Sequence, residues 1–181
     1  MRRAFFSVCG FLLVVFSAGL CVDELRFYLR SDPKTFNPAL VADDSSDAVR
    51  YLTGGVLIRL NRQTQRPEPE LATTWKISRD GRTIMFQLRR GVCFSDGTPF
   101  SARDVKFTMD ALMDPALHSP VGDAFRSGQG RVSSVVLADD RISITFPAPV
   151  AGLENLFDQA AIVSADSPKK EMAVLGPFYV A

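Results

Sequence analysis

The sequence predicts an α+β fold. Three observations carry that expectation. Apolar residues alternate at period two in several short runs, and two pairs of these runs are joined by tight acidic turns. One longer stretch repeats its apolar residues at helical spacing. No repeat and no low-complexity tract interrupts the order, which sets hairpins against a few helices.

Taken in order, Glu24 to Arg30 alternates, with Leu25, Phe27 and Leu29 on one side, and predicts a strand. Ser31-Asp32-Pro33 ends it, and Asn37-Pro38 is a second breaker. Asp43, Asp44 and Ser45 offer caps for a helix through Ala48, Val49 and Leu52, which Gly54-Gly55 stops. Val56 to Leu60 reads as extended and buried. Asn61 to Arg66 reads as a turn, and Pro67 and Pro69 hold the next segment extended. Trp75 to Ser78 and Thr83 to Arg89 form a hairpin around Asp80-Gly81, with Ile84, Phe86 and Leu88 on one face. Ser101 caps a helix, and Asp104 completes a capping-box variant. Val105, Met109, Leu112 and Met113 give that helix one apolar face, and Asp114-Pro115 ends it. His118 to Arg131 reads as a loop. Val132 to Leu137 and Ile142 to Phe146 make a second hairpin around Asp139-Asp140, and a short helix follows near Leu153 to Phe157.

Composition excludes several classes. The 181 residues suit one ordinary domain, or a small domain with a partial neighbour, and 46% hydrophobic content is too high for a disordered chain. A formal charge of +1 gives no support to nucleic-acid binding. Three cysteines cannot staple a miniprotein, and a single histidine leaves little for a metal site or a catalytic triad. His118 reads as a solvated loop residue, and Cys93, between Val92 and Phe94, as a small buried apolar one. No cofactor and no enzymatic activity are expected.

Residues 1–21 are a separate object. Met1-Arg2-Arg3 precedes an apolar run to Cys21 that holds no acidic residue, the pattern of a secretory signal peptide. Ser17, Ala18 and Gly19 are small enough for a peptidase, with cleavage after Gly19 or after Cys21. An uncleaved anchor is the alternative, since Ala4 to Val22 nearly reaches spanning length. Bulky Leu20 before Cys21 argues against a lipoprotein signal. The expected location is periplasmic or extracytoplasmic, with membrane anchoring as the variant.

One stretch is distinctive: Leu71-Ala72-Thr73-Thr74-Trp75, Asp80-Gly81-Arg82-Thr83, and Phe86 through Val92. It continues Phe94-Ser95-Asp96-Gly97-Thr98-Pro99-Phe100-Ser101-Ala102-Arg103-Asp104-Val105. Phe36-Asn37-Pro38 lies upstream, and Asp114-Pro115, Ser119-Pro120 and Gly176-Pro177-Phe178-Tyr179 follow. This order resembles the bacterial family 5 extracellular solute-binding proteins, the peptide-, oligopeptide- and nickel-binding components of ABC importers. The residues themselves read as scaffold: Asp80-Gly81 and Asp96-Gly97 turn the chain, and Trp75, Phe86 and Phe94 anchor a core.

The resemblance implies a periplasmic-binding-protein type II fold, of which this chain supplies the first lobe with its inserted subdomain, the second lobe being missing. It divides the chain into a signal peptide (1–21), the first strand and loop of the main lobe (22–47), an inserted α+β subdomain (48–165) and a truncated return to the main lobe (166–181). In relatives the loop after the first strand reaches the ligand cleft, and the matching positions are Ala42, Asp43 and Asp44. A carboxylate there would pair with a peptide N-terminus or another cation. The favoured reading is simpler: Asp43 and Asp44 start the helix, where negative charge suits its dipole. Some peptide-binding relatives place an aromatic over the ligand after Ser-Pro, where this chain has Val121. The implied function is solute binding for import of peptides or similar small solutes, as a monomer that meets a membrane permease and no nucleic acid. A non-functional remnant or split-gene fragment is the alternative.

Overall fold

The first α-helix is α1 (Asp44–Thr53), and its start is dictated by Asp43, whose carboxylate accepts the Ser46 amide at 3.0 Å. The computed structural model describes residues 25–126, 130–166 and 173–179. Ahead of α1, Pro38–Leu40 forms a 3-10 turn capped by Asn37. After α1, β1 (Ile58–Leu60) pairs antiparallel with β2 (Pro67–Pro69). Val56, Leu57 and Ile58 are buried, as an apolar run between turns leads one to expect.

Two hairpins build the main sheet. β3 (Ala72–Ile77) and β4 (Thr83–Leu88) make the first, and β5 (Ser133–Ala138) and β6 (Arg141–Thr145) the second. The order is β3-β4-β6-β5, antiparallel throughout, so β4 and β6 join the hairpins with Ile84 opposite Ile144 and Phe86 opposite Ile142. The turn between β3 and β4 holds Gly81 at φ 66°, the left-handed conformation that glycine adopts without a steric penalty.

One face of the sheet is covered by α2 (Ala102–Met113). Its capping box is complete: the Ser101 hydroxyl accepts the Arg103 amide, and Asp104 accepts the Ser101 amide at 2.8 Å. Val105, Met109, Leu112 and Met113 are buried against Ile84, Phe86, Leu88, Ile142 and Ile144. The 3-10 segment Leu153–Asp158 adds Leu153 and Phe157 to this core. On the opposite, open face Met85 and Val135 are about half exposed. Among the described residues, no helix is long and apolar enough to cross a membrane.

Four expectations are corrected. Residues 25–30 alternate as a strand does, yet they are irregular, because no neighbouring strand among the described residues pairs with their backbone. Leu25, Phe27 and Tyr28 are exposed in consequence. The span His118–Arg131 is not all loop: α3 (Pro120–Phe125) occupies its first half. Ser119 caps α3 and Pro120 takes its first position, where proline's missing N–H costs nothing. Cys93 is exposed, because the extended stretch alternates and Phe94 takes the inward position. Trp75 is only partly buried at the margin of the core, while Phe86 and Phe94 are buried within it.

Candidate functional site

The residues singled out as ligand contacts fall at two places. Ala42, Asp43 and Asp44 form the entry to α1, with Ala42 and Asp44 exposed. The entry is held locally. The Ser46 hydroxyl donates to Asp43 at 2.8 Å and accepts the Thr35 amide at 3.2 Å, and Ser31 and Ser45 share a hydroxyl contact at 3.0 Å. Hydrogen bonds from the Ser46 amide, then from the Ser46 hydroxyl, hold the Asp43 carboxyl below its ordinary range. Asp43 therefore stays ionised as a helix cap, and Asp44 carries the more accessible carboxylate at this entry.

Val121 lies elsewhere, on α3. It is 8% exposed and lines an apolar groove of about 580 Å³. One wall is α2, through Phe107 and Ala111; the second is the turn at Asn37–Ala39; the third is the segment through Ala161 and Val163. Ala42, Asp43 and Asp44 are not among its lining residues. The groove is the feature that sequence reasoning missed. Its signal was present: Phe107 and Ala111 stand four apart on α2, off the face made by Val105, Met109 and Leu112.

Two hydrogen-bonded crossings hold the third wall. The buried Asp104 accepts the Ala165 amide at 2.9 Å, and the Thr108 hydroxyl accepts the Val163 amide at 3.0 Å. Further on, the chain returns to the end of α1, where the Gly176 amide donates to Thr53 at 2.8 Å. A Cβ at Gly176 would stand 2.4 Å from the Thr53 carbonyl carbon, so only glycine allows this approach.

His118 is exposed at φ 48° after the 3-10 turn Pro115–Leu117. Among the described residues, no group of three or more His, Cys, Asp or Glu gathers to hold a metal ion. These residues offer two separate features, a groove for apolar groups and an exposed acidic helix entry.

Residues 66–181 match the family model described as bacterial extracellular solute-binding proteins, family 5 Middle. The dipeptide-binding protein DppE of Bacillus subtilis is 27% identical over 132 residues, covering 66% of this chain and 24% of that protein. NikZ from Campylobacter jejuni, solved in complex with Ni(L-His), matches with a TM-score of 0.66 at 29% identity, over 74% of this chain and 26% of its own. The periplasmic binding protein DppA from Helicobacter pylori, in complex with peptide STSA, gives a TM-score of 0.60 at 30% identity, over 75% of this chain and 30% of its own. The chain thus spans about a quarter of the length of DppE.

Proposed function

The chain belongs to the bacterial extracellular solute-binding proteins of family 5, and from that premise we propose that it is the N-terminal portion of the substrate-binding component of an ABC importer. Its described residues are a mixed helix-and-sheet portion of the type II periplasmic-binding-protein fold. The proposed solutes are peptides or similar small molecules. The mechanism is binding without chemistry: a solute lies between two lobes, and their closure presents it to a membrane permease. The observation that carries this reading is the family match across residues 66–181.

In this reading residues 48–165 are the inserted subdomain, and residues 22–47 and 166–181 belong to the main lobe. Ala42 and Asp44 face the solute at the helix entry, Asp43 holds that entry in place, and Val121 adds an apolar contact from α3. The segment 1–21, which lies outside the described residues, acts as a secretion leader and delivers the protein to the periplasm or cell exterior. The protein works as a monomer and is not an enzyme.

A chimera tests the reading. Residues 25–179 replace the matched stretch of DppE, and calorimetry follows titration with di-, tri- and oligopeptides. Saturable binding of at least one peptide class is expected. A folded chimera that is silent to the whole panel overturns the proposal.

A further inference from the structure

Ser119 makes two hydrogen bonds with one hydroxyl, and the second does something that helix capping does not require. The residue is fully buried, at 0% exposure. Its Oγ accepts the Gly122 amide at 2.9 Å, which is the cap of α3. Its single proton is directed to the Ala39 carbonyl at 2.5 Å, eighty residues away in the chain. A hydroxyl has one proton and two lone pairs, so both bonds coexist.

The two ends of this connection differ in how they are held. α3 is fixed to α2: a Cβ at Gly122 would lie 2.1 Å from the Leu112 carbonyl oxygen, and the Arg126 guanidinium donates to that same oxygen at 3.0 Å. The Pro38–Leu40 turn is braced by short-range bonds. The Ala39 amide donates to the Asn37 side chain at 3.0 Å, and the Leu40 amide to the Asn37 carbonyl at 3.0 Å. Those bonds shape the turn, and Ala39 packs its side chain against the core. The Ser119 hydroxyl ties it to the α2–α3 platform. Three residues past Ala39, the chain reaches Ala42 and the entry to α1.

We propose that Ser119 is a positioning residue: its hydroxyl latches the Pro38–Leu40 turn to α3, and so fixes the solute-facing entry at Ala42–Asp44 relative to Val121. The assignment rests on the solute-binding reading for its purpose, and on geometry alone for its existence. The latch also joins two pieces of the groove lining, since Asn37–Ala39 and Val121 both line it.

The test is amide hydrogen exchange on the full chain, which needs no solute and so stands or falls apart from the peptide titration. Ser119→Gly keeps a competent N-cap while removing the hydroxyl, and Ser119→Ala removes both functions. In Ser119→Gly, exchange at Ala39 and Leu40 is expected to accelerate roughly five- to tenfold, the loss of one net hydrogen bond. Ile142 and Ile144 in the sheet keep their wild-type rates. Acceleration at Gly122 alone makes Ser119 a helix cap and nothing more, and overturns the proposal. Should the variants not fold, the unsubstituted chain still decides. A slowly exchanging Ser119 hydroxyl resonance supports the latch, and a hydroxyl proton that exchanges as fast as those of exposed serines refutes it.

Discussion

At the scale of single residues, aspartates at turns do much of the local work, and their acidity is the measurable trace. The Asp43 carboxyl is lowered by the Ser46 amide and hydroxyl, Asp80 by the Ser78 hydroxyl and then the Arg82 amide, and Asp140 chiefly by Arg90. Each group is more acidic folded than unfolded. The folded chain therefore binds fewer protons around the ordinary carboxyl value of 3.8. Their contribution is complete above that value and is lost as pH falls through the lowered folded values. Thermal melts between about pH 7 and pH 3 should show a melting temperature that holds and then declines below about pH 4. Asp43→Asn, which caps without titrating, should flatten part of that decline. A wild-type curve with no acid limb contradicts the account.

At the scale of elements, the core is organised by aromatic rings drawn from four separate pieces of chain. Phe157 meets Phe86 edge-on at 4.7 Å and Phe125 edge-on at 5.5 Å, and Phe125 stacks on Phe146 at 6.3 Å. Phe157 thus joins the 3-10 segment, the central strand β4 and α3. Phe157→Ala should cost about 3–5 kcal/mol, because it leaves a cavity that three elements cannot close. Phe107→Ala, by contrast, removes a ring that is 43% exposed on the groove wall, and should cost less than about 1 kcal/mol. Urea denaturation of the two variants checks the ordering, and equal losses would show that the groove wall belongs to the core.

The same elements show what the sequence could convey. Short-range chemistry was legible: the Asp80-Gly81 turn, the Ser101–Asp104 capping box, and the alternation of Ile84, Phe86 and Leu88 are each decided within a few residues. α3 was missed because the span from His118 to Arg131 is rich in Gly, Ser and Pro and resembles a loop, although Ser119-Pro120 is itself a helix-start signal. Over its described part, residues 25–30, the expected first strand failed for the opposite reason. Its pattern is correct, but a strand exists only beside another strand, and that partner is a long-range fact. The groove was illegible on the same ground, since its walls come from stretches more than a hundred residues apart. The helix start at Asp43 and Asp44 was legible from its cap residues. That Asp43 spends its acceptors on Ser46 could be seen only in the fold.

At the scale of the whole molecule, the governing quantity is how much of a solute this chain can enclose. Pockets that hold small ligands tightly bury most of the ligand surface, and dry surroundings strengthen each polar contact within them. Here the groove is lined from three sides, and Ala42 and Asp44 at the helix entry are exposed. The match to this chain covers only 24% of the length of DppE. A peptide resting on residues 25–179 alone would keep much of its hydration while still losing translational and rotational freedom. Its affinity should then be weaker than about 1 mM, corresponding to less than about 4 kcal/mol of binding free energy. If the proposed two-lobe mechanism holds, the chimera with DppE should bind saturably, because a second lobe would supply the missing burial. Calorimetric titration of the two proteins with the same peptides compares them directly. Tight, saturable binding by residues 25–179 alone would mean that one lobe encloses the solute unaided, and closure between two lobes could then not be the mechanism.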